Sequence, residues 1–173
     1  PGSSLVLSGS ILYGVLSEGG SIGANGAIYA INTDGTGYNV LYDFDGDSGA
    51  VPKSTPIIVE GKLYGTTESG GDDGIGTIYS INTNGTSYTI LREFSGEDGQ
   101  YPGSSLIFSN GKLYGIITND DNKSILFSLN TDGTEFDILH ELDAQEMFEM
   151  YSTLYSHGAT FSNFVLSGDK FYF

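Results

Sequence analysis

Residues 63–102 read LYGTTESGGDDGIGTIYSINTNGTSYTILREFSGEDGQYP, and this stretch carries the grammar of the whole chain. Two runs rich in β-branched and aromatic residues flank Asn84-Gly85, a dipeptide that accepts positive φ at little cost and suits a tight hairpin turn. Just upstream, Glu60-Gly61 divides two further short runs in the same way. The pattern predicts four antiparallel strands, at about 55–59, 62–67, 76–82 and 87–94.

The same units recur on both sides. LVLSGSILYG (5–14), IIVEGKLYG (57–65), LIFSNGKLYG (106–115) and FVLSGDKFYF (164–173) are versions of one another, and Gly14, Gly65 and Gly115 are separated by 51 and 50 residues. Downstream blocks at 27–44 and 125–142 match 77–94, with turns centred on Asp34-Gly35 and Asp132-Gly133. Ser8-Gly9, Asn110-Gly111 and Ser167-Gly168 are read as the first-hairpin turns of their repeats. The chain is therefore one repeat domain over 1–173, with repeats at about 3–52, 53–102 and 103–143, an insertion at 144–162 and a partial fourth repeat at 163–173.

Apolar residues stand at adjacent positions in these strands, as in Leu63-Tyr64 and Ile78-Tyr79. Adjacent strand positions point to opposite faces, so both faces are to be buried. A sheet held between two neighbours needs this. The fold class follows: all-β, with β-propeller-type four-stranded antiparallel blades, three plus a partial fourth, at a period near that of kelch-like propellers. The recurrent rings Tyr13, Tyr64, Tyr114 and Tyr172, then Tyr29, Tyr79 and Phe127, then Tyr38, Tyr88 and Phe136, are read as packing residues.

The LYG triplet, the Gly pair at 70–71, Thr77-Ile78-Tyr79, the NGT turn and the closing Pro102 resemble the tandem repeat of the Gloeobacter and Verrucomicrobia type. The resemblance extends over essentially the whole chain. Repeat three departs from it, with 119–123 replacing the Gly-rich loop. Such repeats occur in large bacterial surface or secreted proteins that often end in a sorting anchor. The resemblance implies an extracellular or cell-surface location and a repetitive, anchored architecture, and supplies no catalytic residues.

Between repeat three and the last hairpin the apolar period changes from two to helical. Met147, Phe148, Tyr151, Leu154 and Tyr155 share a face, Asp143 with Glu146 forms a capping box and Gly158 suits a C-terminal stop, so a helix is expected near 144–156. The fourth repeat reaches only its second strand. Propellers close with roughly four to eight blades, and an unpaired strand edge invites pairing. A protein partner, or further copies of this chain, is expected at the unfinished C-terminal blade. Pro1, standing where Met would begin a chain, is read as the mark of a processed or partial polypeptide.

Twenty-two acidic residues against 6 basic ones give a net charge of −16, which repels nucleic acid and anionic membrane. No run approaches the ~18 apolar residues of a membrane span. With 0 cysteines, disulfides and thiol chemistry are excluded. Phosphate-loop, nucleophile-elbow and zinc-protease strings are missing, and His140 and His157 have no second ligand at metal spacing.

One candidate cation site remains. Asp43, Asp45 and Asp47 alternate along an Asp/Gly loop in the manner of hard-cation ligands, and calcium is the only cofactor they suggest. An EF-hand loop would want Gly and Glu where Ser48 and Ser54 stand. Asn84-Gly85-Thr86 and Asn122-Lys123-Ser124 are formal glycosylation triplets, the first coinciding with a repeat turn.

These readings give two expectations of function. The first is a non-enzymatic extracellular or cell-surface module serving structure, adhesion or assembly. The second is a carbohydrate-binding or carbohydrate-active propeller, with glycans as partners. Glycoside hydrolysis would need two carboxylates from different blades facing one pocket.

Overall fold

Strands follow one another in chain order and pair only with sequence neighbours. The computed structural model describes residues 3–21, 23–119, 121, 123–142, 165–167 and 170–172. The first sheet is β1 (Val6–Ser8), β2 (Ile11–Leu16), β3 (Ala27–Asn32) and β4 (Asn39–Asp43); the second is β5 (Ile57–Val59), β6 (Lys62–Thr67), β7 (Thr77–Asn82) and β8 (Thr89–Glu93). The third holds β9 (Ile107–Ser109), β10 (Lys112–Thr118), β11 (Ser124–Asn130) and β12 (Asp137–Glu141), and β13 (Val165–Ser167) pairs with β14 (Lys170–Tyr172). All pairs are antiparallel meanders. The three four-stranded blades and the two-stranded sheet match the expected all-β, propeller-type class. The expected helix near 144–156 lies outside the described residues, as does His157; among the described residues there is no helix.

The first hairpins turn on two residues. Val59 pairs with Lys62 and Ser109 with Lys112, leaving Glu60-Gly61 and Asn110-Gly111 at the tips, all four with positive φ. In blade one Ser8 pairs with Ile11, so the tip is Gly9-Ser10, one residue later than the Ser8-Gly9 expectation. Gly9 carries the positive φ there, and Ser10 need not.

The second hairpins differ more from expectation. They are not two-residue turns, because the ladder reopens only at Asn39, after six connecting residues from Thr33 to Tyr38. Asp34 does not need positive φ; its Oδ1 instead accepts the Thr36 amide at 2.9 Å and hydroxyl at 2.7 Å, while Asn32 Nδ2 donates to that hydroxyl at 3.1 Å. Asn84 with Thr86, and Asp132 with Thr134, repeat the geometry. The N-T-(D/N)-G-T string thus encodes an Asx turn whose side chains replace the missing ladder bonds.

The LYG glycine is a steric requirement. Gly65 pairs with Tyr79 across the ladder, and a Cβ there would meet the Tyr79 hydroxyl inside van der Waals contact. Gly14 faces Tyr29 and Gly115 faces Phe127 in the same manner. One strand supplies a ring, and the next must supply no side chain beneath it.

Each hydrophobic core lies between blades. Tyr13, Val15, Ile28 and Phe44 of blade one pack on Leu63, Tyr79 and Ile81 of blade two. Tyr64, Ile78 and Phe94 of blade two pack on Leu113, Phe127 and Leu129 of blade three. Leu63-Tyr64 and Ile78-Tyr79 are buried on both faces, as the adjacent apolar pairs required. Fully burying one such side chain is worth roughly 1.5–3 kcal/mol, so the stacking of blades is the main source of stability.

Candidate functional site

Loops joining β2 to β3, β6 to β7 and β10 to β11, with those joining each blade to the next, gather at one end of the sheets and hold about half of the Asp, Glu and Gly. They are tied together by backbone. Ala50 and Ser69 exchange hydrogen bonds of 2.7 and 3.1 Å, and the Val51 amide donates to Asn25 at 2.8 Å, so one linker grips the loops of two blades. At the next junction Gln100 and Thr118 exchange bonds of 2.6 and 2.9 Å and Tyr101 donates to Ile75 at 2.9 Å. Gly70 lies so close to Gly46 and Gly49 that no Cβ could be accommodated.

Val51 and Tyr101 occupy equivalent positions and both sit in the left-handed region, at φ 55° and 54°. Neither a β-branched nor a bulky residue adopts it freely, and such strain costs roughly 1–3 kcal/mol. Sequence reading missed these residues. The one available signal was their place immediately before Pro52 and Pro102, where the repeat boundary falls.

The loop carboxylates are given local tasks. Asp43 accepts the Ser21 amide at 2.8 Å and also the Ser21 hydroxyl. Asp45 Oδ1 accepts the Ser48 hydroxyl at 2.6 Å and amide at 2.8 Å, and these donors, the hydroxyl foremost, hold its carboxyl below the usual carboxylate range. Asp47 is exposed. The structure therefore turns Asp43 toward one loop and Asp45 onto its own turn. No group of three His, Cys, Asp or Glu side chains able to hold a metal ion forms among the described residues. Two of the three alternating carboxylates are thus engaged by Ser21 and Ser48.

Three cations near this end are matched by acids. Lys53 pairs with Glu68 and Arg92 with Asp98, and Lys123 with Glu141 at 2.5 Å. Asp47, Asp72, Asp73 and Glu97 stay exposed, so the loop end presents hydrogen-bond acceptors. His140 stands on the outer strand β12, paired with Leu126 and next to Glu141. Asn84 Oδ1 is engaged by Thr86, and Asn122 lies outside the described residues.

The LYG glycine and the Asx turn recur in all three blades, and the Pro-closed linker follows the first two. The model of the Gloeobacter/Verrucomicrobia repeat matches residues 1–171. The chain belongs to this repeat family. No curated protein matches it. Among solved structures, the tricorn protease is similar with TM-score 0.52 and 18% identity, over 79% of this chain and 12% of that one. A Bacteroides fragilis protein with a provisional 6-phosphogluconolactonase assignment gives TM-score 0.45 and 16% identity, over 78% of this chain and 36% of that one. The chain thus spans a small part of either, and the first likeness concerns the fold alone. Within this chain, the positions that recur from repeat to repeat are those of ring, turn and linker.

Proposed function

We propose that this repeat chain is a non-enzymatic module outside the cell or on its surface, serving structure, adhesion or assembly. The observation that carries the reading is how the polar side chains of the repeat are used. Asp34, Asn84, Asp132, Asp43 and Asp45 all accept hydrogen bonds from neighbouring turns or loops, and so act as parts of the scaffold. An acidic, acceptor-rich loop end suits exposure to a cation-rich exterior, and the net charge of −16 favours solubility.

Biotinylation of intact cells that make the protein tests the location. Labelling is expected without lysis, and labelling only after lysis overturns the reading. A panel of glycoside, ester and lactone substrates is expected to show no turnover above buffer. The alternative, a carbohydrate-binding propeller, draws on Tyr101, an exposed ring at the loop end beside Gln100. Specific hits on a glycan array that vanish in Tyr101→Ala would move the function to that reading.

A further inference from the structure

An Asn-Gly pair is a place where a polypeptide can modify itself. The glycine amide gives up its proton to base and its nitrogen attacks the asparagine Cγ. A five-membered succinimide forms, the Cγ–Nδ2 bond breaks and ammonia leaves. Water then opens the ring to aspartate or isoaspartate. Glycine favours the step because it brings no Cβ to shield the nitrogen or to restrict the backbone rotation that closure needs. The chain holds three such pairs, Asn25-Gly26, Asn84-Gly85 and Asn110-Gly111.

The fold treats the three differently. At Asn84-Gly85 the Gly85 amide donates to the Asn82 carbonyl at 2.8 Å, and Asn84 Oδ1 accepts the Thr86 amide and hydroxyl at 3.1 and 2.7 Å. Nucleophile and electrophile are both held. At Asn25-Gly26 the Gly26 amide donates to the Gly19 carbonyl at 3.0 Å, and the Asn25 carbonyl accepts the Val51 amide at 2.8 Å. Gly26 is also buried, and a Cβ there would lie 2.3 Å from the Leu16 carbonyl oxygen and 2.6 Å from the Pro52 ring, so the backbone has little room to turn.

The third pair is left open. Asn110 and Gly111 are exposed at the tip of the β9–β10 hairpin, and a Cβ on Gly111 would meet nothing within 4 Å. Among the described residues no hydrogen bond engages the Asn110 side chain or the Gly111 amide. The corresponding tips of blades one and two are tied to the neighbouring turn, since the Ser10 carbonyl accepts the Thr33 amide at 2.9 Å and the Gly61 carbonyl accepts the Thr83 amide at 3.0 Å. No such bond reaches Gly111 among the described residues.

The geometry points to Asn110 as the site where the folded chain deamidates first, with Asn84 and Asn25 protected by their hydrogen bonds. The two products differ in effect. Aspartate keeps the length of the backbone, and the matching tip of blade two already carries an acid, Glu60. Isoaspartate adds a backbone methylene to a turn whose Ser109–Lys112 pairing is spanned by two residues, and so loosens β9 from β10.

Incubation of the folded whole chain in mildly alkaline buffer tests the assignment. Peptide mapping by mass spectrometry follows amide-to-acid conversion at each pair, and an isoaspartate-specific methyltransferase marks the isoaspartyl form. Asn110 is expected to convert at least roughly tenfold faster than Asn84 or Asn25, because their reaction must first break the hydrogen bonds described above. In urea the three pairs should convert at similar rates. The Asn110→Asp variant should melt as the fresh wild type does, whereas the isoaspartyl fraction, separated by anion exchange, should melt lower. A folded chain in which Asn84 or Asn25 converts as fast as Asn110 overturns the assignment, and the same ranking in urea would remove the fold as its cause. An isoaspartyl fraction that melts with the Asn110→Asp variant overturns the effect on the turn.

Discussion

The two blade junctions use the same positions with different chemistry. Between blades one and two, Tyr42 stacks on Tyr88 with ring centroids 3.7 Å apart and planes within 5°, and Tyr79 and Phe44 close around Tyr88. The Tyr88 hydroxyl donates to the Ser48 carbonyl at 2.6 Å, and burial pushes its pKa up. Between blades two and three, Arg92 takes the place of Tyr42 and lies 4.5 Å from the centre of the Phe136 ring, with its guanidinium held by Asp98. Phe94 and Phe127 complete that cluster. What the repeat preserves is a flat group on a ring. Whether that group is aromatic or cationic is free to vary, because both gain from the face of a π-system.

The largest expected effects come from removing the ring. Tyr88→Ala should cost about 3 kcal/mol and Phe136→Ala about 2 kcal/mol in urea unfolding, the difference reflecting the extra rings and hydrogen bond around Tyr88. Equal costs would mean that the junctions are energetically alike.

A reciprocal exchange sharpens the comparison. The Tyr79 hydroxyl is buried without a hydrogen-bond partner, and burial pushes its pKa up, while Phe127 at the same position has no hydroxyl to satisfy. Tyr79→Phe should stabilise by about 1 kcal/mol, and Phe127→Tyr should destabilise by about as much or more. Thermal unfolding of the pair decides it, and a destabilised Tyr79→Phe would reveal a partner for that hydroxyl.

Arg92→Lys should cost about 1 kcal/mol, since an ammonium group cannot lie flat on the Phe136 ring. Arg92→Tyr, which copies Tyr42, should recover much of this and remove the salt sensitivity of the second junction. Denaturation at two salt concentrations separates these outcomes.

The smallest effect is a pH dependence. Thr36 and Thr134, through hydroxyl and then amide, hold the Asp34 and Asp132 carboxyls below their usual range. Their contribution to stability is present above the unfolded-state pKa of about 4 and is lost as pH falls through the lower folded-state value. Asn84 makes the same turn without titrating. Asp34→Asn with Asp132→Asn should therefore flatten the acid limb of the stability curve slightly, through a small loss at neutral pH that disappears in acid.

Much of this was legible in the sequence because repetition turns weak signals into a register. The second-blade expectation of 62–67 coincides with β6, and 76–82 differs from β7 by one residue. The outer strands were drawn too long, since β5 and β8 are trimmed by the linker and the Asx turn. Asp34-Gly35 looked like a two-residue turn because the dipeptide suits one; only the Thr36 hydrogen bonds distinguish the longer loop. The acid loop at 43–47 is a related case. Alternation along the chain does not say whether carboxylates converge, and here Ser21 and Ser48 claim two of the three. The strained Val51 and Tyr101 were invisible to pattern, because both depend on which blade lies next to which.

The central claim, that equivalent positions couple the blades whatever their chemistry, is tested most directly by double-mutant cycles on Tyr42/Tyr88 and Arg92/Phe136. Both pairs should show coupling of roughly 0.5–1.5 kcal/mol, with only the Arg92 cycle involving a charge. Additivity within about 0.3 kcal/mol in either cycle would contradict it.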